Sequence, residues 1–328
     1  MNRVDGATLV TGATGLLGNN VVRLLLSRGE SVRVLARDAE DPALAGLSVE
    51  RFAGDVRDAG SVRAACEGVA AVIHAAAHVR MGWRQPELYE SINVDGTRNV
   101  AAACRAGGAR MVHVSSTDVF GRCSLRHATD EETPPGPGPK TPYALTKRAA
   151  ESVVLQECDQ GLSAVIINPG FMLGPWDWKP SSGRIVLAVG RGTAIVAPKG
   201  WLSLCDARDV AAGALAARDC GAIARRYILA GETLRFIDAF RLIAEVCHTI
   251  RPLMQARRVI ASIGGYSGDL WGWISGTEPD VNSAAVAMAR LPKNYNSARA
   301  ERELGYRRRP VHETIADAWN WFGEHGYR

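Results

Sequence analysis

The sequence predicts an α/β chain built on a doubly wound parallel sheet, with a smaller α/β region towards the C-terminus. Three observations carry this expectation. Short apolar runs recur through residues 7–168 and alternate with segments of helical spacing, the pattern of a parallel sheet covered on both faces. A glycine-rich turn, Thr11-Gly12-Ala13-Thr14-Gly15-Leu16-Leu17-Gly18, joins the first run to the first helical segment. The chain has 328 residues, 47% of them hydrophobic, which suits one large domain plus a smaller region.

Taken in order, Ala7–Val10 is a strand that ends in the glycine turn. Leu16–Ser27 carries apolar residues at helical spacing and stops at Gly29. Val32–Ala36 and Val49–Ala53 read as strands, Ser61–Cys66 as a helix, and Val69–Ala75 as a buried strand of small apolar residues. Glu87–Arg105 is a long helix closed by Gly107-Gly108, followed by a strand at Arg110–Ser115. The prolines and glycines of Thr133–Pro139 break the pattern and predict a loop over the site. Alternation resumes with a helix at Tyr143–Gln160 and a strand at Ser163–Asn168. Beyond these, Ala207–Arg218, Phe236–Cys247 and Val311–Phe322 read as helices and Tyr227–Ala230 as a strand. Gly264–Thr277, rich in Gly, Ser and aromatics, reads as irregular. The expected division is a nucleotide-binding domain over residues 1–170, its sheet completed by part of 200–230, and a mainly substrate-binding region over 171–328.

Gly12, Gly15 and Gly18 follow a strand and open a helix. One glycine permits the sharp turn, one lets backbone approach a pyrophosphate, and one lets helix and sheet pack closely. The free N–H groups and positive dipole end of the helix then face the phosphates. Placed in the first strand–helix unit, this turn predicts a Rossmann-type sheet that binds a dinucleotide. The second strand chooses between dinucleotides. An acidic residue at its end would bind a ribose 2′-hydroxyl, but here Ala36 is followed by Arg37, whose guanidinium suits a 2′-phosphate. Asp38 comes one residue late and would repel that phosphate if it pointed inward. NADP is therefore the expected cofactor, with NAD as the alternative.

Tyr143 and Lys147 lie four apart, on one face of a helix that Pro142 opens. A phenol ordinarily titrates near pH ~10, and an ammonium one turn away is expected to lower that value. Ser115-Ser116-Thr117 places hydroxyls at the end of the preceding strand, where an open parallel sheet presents ligand-facing groups. Ser116 can hold a substrate oxygen while Tyr143 gives or takes its proton, with a hydride moving between the adjacent carbon and a nicotinamide.

With these motifs assembled, the chain resembles the extended short-chain dehydrogenases/reductases, the NAD-dependent epimerase/dehydratase family, over essentially its whole length. The resemblance rests on Thr11–Gly18, Gly54-Asp55, His74-Ala75-Ala76-Ala77, Asn93-Val94-Asp95-Gly96-Thr97, Ser115-Ser116, Tyr143–Lys147, Asn168-Pro169-Gly170 and Gly174-Pro175. It implies a catalytic set of Ser116, Tyr143 and Lys147. It also implies cofactor contacts from Gly12, Ala13, Thr14, Gly15, Leu16, Leu17, Gly18, Arg37, Asp55 and Val56 (beside adenine), Ala75, Ala76 and Ala77. Pro169, Gly170 and Phe171 would flank the nicotinamide, and Asn93 would pin the helix near the site. Arg37 and Lys179–Arg184 look like the dihydroflavonol-reductase-like branch, which includes the hopanoid-associated sugar epimerase group. Asn168 stands where many members carry Arg, and Phe120 where many carry Tyr.

Four activities fit this resemblance. The first is NADP(H)-dependent reduction of a ketone or aldehyde, which Arg37 favours because NADP serves net reduction. Trp176-Asp177-Trp178, Trp201 and Tyr266–Trp273 would give such an enzyme an apolar pocket, or else fill the core of the smaller region. The second is a sugar-nucleotide epimerase with tightly bound NAD, for which Arg184, Arg191 and Arg235 are candidate diphosphate clamps. The third is a sugar-nucleotide dehydratase, with Asp118 as an added acid; alternatively Asp118 caps its loop. The fourth is a non-catalytic dinucleotide sensor.

Composition narrows the classes further. A net charge of +5 with scattered basic residues gives no basic stripe, so no nucleic-acid partner is expected. Seven unpaired-looking cysteines without CxxC fit a reducing cytoplasm, and no apolar stretch approaches a membrane span. No metal site is expected from the histidines. The expected substrate is a small carbonyl or alcohol, and the family resemblance implies a second copy of the chain as partner, a homodimer through Glu87–Arg105 and Tyr143–Gln160.

Overall fold

The computed structural model describes residues 6–121, 123–134, 136 and 141–328, so much of the expected 133–139 loop lies outside the described residues. The N-terminal half winds strand and helix alternately: β1 (Thr8–Thr11), α1 (Leu16–Ser27), β2 (Val32–Ala36), β3 (Glu50–Ala53), α2 (Ala59–Cys66), β4 (Ala71–His74), α3 (Pro86–Tyr89), α4 (Gly96–Gly107), β5 (Arg110–Val114), α5 (Pro142–Asp159) and β6 (Ala164–Pro169). Next come β7 (Phe171–Leu173), α6 (Arg184–Gly190), β8 (Val196–Ala197), β9 (Trp201–Asp206), α7 (Ala207–Cys220), β10 (Arg226–Leu229) and β11 (Glu232–Arg235). The chain ends with α8 (Phe236–Val246), β12 (Met254–Gln255), α9 (Arg258–Ser275), α10 (Ser283–Ala289), α11 (Ala298–Leu304) and α12 (Val311–Glu324).

Seven strands form one parallel sheet in the order β10-β6-β5-β4-β1-β2-β3. The winding reverses between β1 and β4, which opens a crevice at their carboxyl ends where such sheets bind ligands. Strands β1, β4 and β6 are buried along their whole length because helices cover both faces. One core packs Val10, Val34 and Ile167 against Val21 of α1 and Val210 of α7. The other packs Leu9, Val72 and Ile166 against Val100 of α4 and Val154 of α5. Arg218 of α7 is buried beneath the first face, where its guanidinium donates to Glu30 at 2.6 Å, Thr8 at 2.9 Å and Asp219 at 2.7 Å.

A three-stranded sheet, β11-β9-β7, carries the smaller region, with α6, α8 and α12 packed on it around Phe240, Ile315, Trp321 and Phe322. Strand β10 returns to the large sheet beside β6.

Two segments differ from expectation. The long helix expected at Glu87–Arg105 is broken by a π-helical turn, Glu90–Asp95. The wider turn places Asn93 inward, where its amide bridges the His78 backbone and the Thr146 hydroxyl of α5. The segment expected to be irregular, Gly264–Thr277, lies mostly in helix α9. Its glycines weaken helix propensity, but three of them, Gly265, Gly268 and Gly272, press against residues 277–283, so packing outweighs propensity.

Candidate active site

Two glycines of the turn are required by the chain itself, and the third faces the open cradle. Gly12 adopts φ +72°, and a Cβ there would lie 2.6 Å from the Ala76 nitrogen. A Cβ on Gly18 would run into the Gly12 carbonyl, which locks helix α1 onto the turn. A Cβ on Gly15 would meet only the Gly12 carbonyl, at 3.4 Å. Gly15 is exposed and no side chain caps the first turn of α1, so the free N–H ends of Leu16, Leu17 and their neighbours face open space. That cradle fits a pyrophosphate. Thr14 is half-buried and Ala13 buried beneath it.

Around the cradle, Arg37 projects exposed from the end of β2. The Asp38 carboxylate accepts the Glu40 N–H at 2.9 Å, so it serves its own loop. Asp55, after β3, is chelated by Arg57 at 3.0 and 2.7 Å, and this ion pair holds its carboxyl below the usual range. Val56 is buried against Gly96. Ala75, Ala76 and Ala77 are half-buried after β4, and the Ala76 N–H donates to the Thr11 hydroxyl at 3.2 Å. Pro169, Gly170 and Phe171 form the turn from β6 to β7, with Gly170 too close to the Ser203 carbonyl for any side chain. Asn20 of α1 reaches Pro175 at 2.9 Å, and Lys179 pairs with Asp41 at 2.5 Å, tying the segment after β7 to the cradle.

His74 bridges the Thr11 hydroxyl at 2.8 Å and the Thr97 hydroxyl at 3.1 Å. Burial, and the charge of Lys147, push its pKa down to about 3, so it is a neutral strut. No cluster of potential metal ligands occurs among the described residues.

The structure brings Ser116, Tyr143 and Lys147 together at the carboxyl end of β5. Ser116 caps the short helical turn Thr117–Phe120 by accepting the Asp118 N–H at 3.1 Å, which fixes its hydroxyl at the strand end. Tyr143 opens α5, whose cap is Thr141. Its phenol is buried, and that burial raises its pKa, with the negative charge of Asp118 adding to the rise; a hydrogen bond with Ser116 opposes it. The expectation that Lys147 lowers the phenol's pKa is therefore corrected: burial raises it, Lys147 is not among the groups that shift it, and its ammonium donates instead to the Val114 carbonyl at 2.8 Å. Burial pulls Lys147 itself down to about 8, partly offset by the charge of Glu151.

Four supporting residues escaped the sequence reading. Lys293 pairs with Asp118, and Tyr295 donates to the Thr117 carbonyl at 3.2 Å. Buried Glu151 accepts from Asn168 at 2.6 Å and from Arg226 at 2.9 Å, while Asn168 also donates to the Ser116 carbonyl at 3.1 Å. Glu151 had a signal, its place four residues beyond Lys147. Lys293 and Arg226 had none, because they arrive from distant sequence.

Other candidates stand elsewhere. Arg184 pairs with Asp280, Arg191 donates to the Tyr327 carbonyl, and Arg235 pairs with Asp238 at 2.6 Å. Trp176 and Trp178 pack with Trp321 and His325, and Arg23 stacks 3.3 Å from the Trp176 ring centroid. Trp201 lies half-buried on β9, while Tyr266, Trp271 and Trp273 are exposed on α9.

The family model described as "NAD dependent epimerase/dehydratase family" matches residues 8–227. Sterol demethylase protein B of Methylococcus capsulatus is 38% identical, covering 97% of this chain and 99% of that protein. A putative dihydroflavonol 4-reductase of Synechocystis is 33% identical, over 97% and 95%. A 4-hydroxy-2-methyl-3-oxo-4-farnesyl-3,4-dihydroquinoline-1-oxide ketoreductase of Stigmatella aurantiaca is 30% identical, over 97% of each. Among solved structures, that of gox2253 superposes with a TM-score of 0.85 at 32% identity, covering 98% of this chain and 99% of the other.

Proposed function

The chain belongs to the NAD-dependent epimerase/dehydratase family of extended short-chain dehydrogenases/reductases, and from that premise we propose that it is an NADP(H)-dependent reductase of an apolar ketone. The observation that carries the reading is the Tyr143 phenol, buried beside Ser116 and held above the ordinary pKa of a phenol. At neutral pH it keeps its proton, which suits an acid that delivers it to oxygen.

In this reading the Ser116 hydroxyl donates a hydrogen bond to the carbonyl oxygen and orients it. A bound nicotinamide would be the source of the hydride for the carbonyl carbon. Tyr143 passes its phenolic proton to the oxygen, so hydride and proton together leave an alcohol. The Lys147 ammonium stabilises the phenolate left behind and helps restore its proton. Gly12–Gly18 would hold the pyrophosphate and Arg37 the 2′-phosphate, since Asp38 is turned into its own loop.

The substrate class rests on two supports. The relatives are named for sterol demethylation, dihydroflavonol reduction and the reduction of a farnesylated ketone. The sugar-nucleotide alternatives lose their local support: Arg184, Arg191 and Arg235 are engaged elsewhere, and the Asp118 carboxylate is answered by Lys293. We also propose a homodimer through α4 and α5, which a monomeric mass in solution would exclude.

The test is turnover of a panel of steroid, flavonoid and prenylated ketones with NADPH and with NADH. Consumption of NADPH, and its loss in Tyr143→Phe by at least ~100-fold, is expected. Tightly bound NAD that is recycled without net consumption would overturn the reading.

A further inference from the structure

We propose that helix α9 and the loop before it form a docking face for an anionic lipid surface, on which the helix lies flat. The face is defined by how α9 packs. Gly265 and Gly272 lie against Ser283 and Pro279, where added Cβ atoms would stand 3.0 and 2.9 Å from their neighbours. Gly268 abuts the Val281 carbonyl, and the carboxylate of Asp269 accepts the Ser283 N–H at 3.0 Å. The small residues and the helix's one acid are thus used on the inner side.

The opposite side is apolar and uncovered. Val259, Ile260, Ile263, Tyr266, Leu270, Trp271, Trp273 and Ile274 are all exposed, Trp271 by 62% and Trp273 by 74%. Ile250, Leu253 and Met254 extend the patch along the preceding loop. An apolar area of this continuity is uncommon on a surface left to water.

Charge selects the occupant. Between Cys247 and Gly268 the sequence carries Arg251, Arg257 and Arg258 and no acid. All three arginines are exposed; Arg251 pairs with Glu245 at 3.5 Å, so Arg257 and Arg258 at the start of α9 carry the charge argument. An apolar helix face carrying Trp and Tyr, with arginines at its margin, matches the boundary between acyl chains and anionic headgroups. No described helix is long and apolar enough to cross a membrane, which agrees with a helix lying in the surface.

The face is also joined to the site. The segment after α9 holds residues 80–84, just beyond Ala75–Ala77. Arg80 donates to the Glu278 carbonyl at 3.0 Å, the Arg84 N–H to the Glu278 carboxylate at 3.1 Å, and Trp83 to Ser283 at 2.8 Å. Past α10 the same chain delivers Lys293 to Asp118. Helix α9 is thus tied, through residues 277–283 on its inner side, to the segment that follows Ala75–Ala77. The docking claim itself does not depend on the reductase reading.

The experiment is flotation of the full chain with phosphatidylcholine vesicles, alone or mixed with phosphatidylglycerol. The proposal expects flotation with the mixed vesicles, a fall of more than tenfold in bound fraction for Ile263→Glu/Trp271→Glu, and loss of the phosphatidylglycerol preference in Arg257→Glu/Arg258→Glu. If the first variant melts below the parent, Trp273→Glu replaces it. Absence of flotation with either vesicle, or unchanged flotation of the apolar variant, overturns the proposal. So does a parent dimer that Ile263→Glu/Trp271→Glu converts to monomer, since the face would then belong to a second copy. None of these outcomes requires turnover, so docking can fail while the reductase reading stands, and the reverse.

Discussion

Replacing Glu151 with Gln separates a positioning role from a merely structural one. The carboxylate stands one helical turn beyond Lys147 and favours its charged form. Side chains at this spacing start ~5–6 Å apart, and at an effective dielectric constant of ~20 two unit charges at ~6 Å interact by roughly 3 kcal/mol, about two pKa units. Arg226 binds the same carboxylate at 2.9 Å and offsets part of this, so a fall of about one unit is expected. Lys147 now titrates at about 8, below an ordinary lysine because burial penalises the cation. The ammonium is therefore present below that pH and lost as pH rises through it. In Glu151→Gln the alkaline limb of kcat/KM should move to about pH 7, given that shift. The contribution of Lys147 to stability runs the opposite way with pH. The unfolded chain binds the extra proton between the two pKa values, so stability from this group rises with pH from about 8 towards the ordinary lysine value. A pH profile of kcat/KM for both proteins, with melting curves alongside, is the assay. An alkaline limb that stays in place while the melting temperature falls would refute the electrostatic role and leave Glu151 only structural.

Four further outcomes follow from the same geometry. Arg37→Ser should weaken NADPH binding by at least ~10-fold and leave NADH nearly unchanged, as isothermal titration can show; equal loss for both would deny a 2′-phosphate contact. Gly15→Val should fold normally, because its Cβ meets only the Gly12 carbonyl at 3.4 Å, yet lose dinucleotide affinity; Gly18→Val should instead fail to fold stably. Arg218→Met leaves Glu30 and Asp219 facing an apolar side chain and should cost roughly 3–5 kcal/mol in urea unfolding, with Arg218→Met/Glu30→Leu recovering part of it. Lys293→Met removes the partner of Asp118, which should raise the Tyr143 pKa further and lower the rate at neutral pH more than it raises KM; an unchanged pH profile would count against the coupling.

The sheet was legible because its signals are local. Strand β4 spells Ala71-Val72-Ile73-His74 without a polar break until the strand ends, which reads as a strand buried on both faces; its place beside β1 came from the structure. The glycine turn was legible for the same reason, since φ +72° at Gly12 and the collision at Gly18 are properties of one turn and its immediate neighbours. Two features were hidden in different ways. The π-helical turn at Glu90–Asp95 adds a residue without changing composition, so periodicity over Glu87–Arg105 reads through it. Helix α9 looked irregular because Gly264, Gly265, Gly268 and Gly272 each lower helix propensity, and the compensating contact, with residues 277–283, is tertiary.

The electrostatics of the site were the least legible part, and they bear most on the chemistry. Ser116-Thr117-Asp118 carries a hydroxyl and a carboxylate in a spacing that serves reduction or dehydration equally well. What separates the two is whether Asp118 is available as an acid or base, and that depends on Lys293, a residue brought in behind α10. The ion pair with Lys293 gives the Asp118 carboxylate a partner beside the Tyr143 phenol. The same arrangement holds on the other side of the triad, where Arg226 of β10 binds Glu151, and Glu151 in turn holds Asn168 and biases Lys147 towards its charged form. Both partners come from beyond β6. The C-terminal half therefore sets the charge around Tyr143 and Lys147, which the N-terminal half positions. Asn168 fits this account, since an amide can bridge the Ser116 carbonyl and the Glu151 carboxylate at once, leaving Arg226 to supply the positive charge from the neighbouring strand.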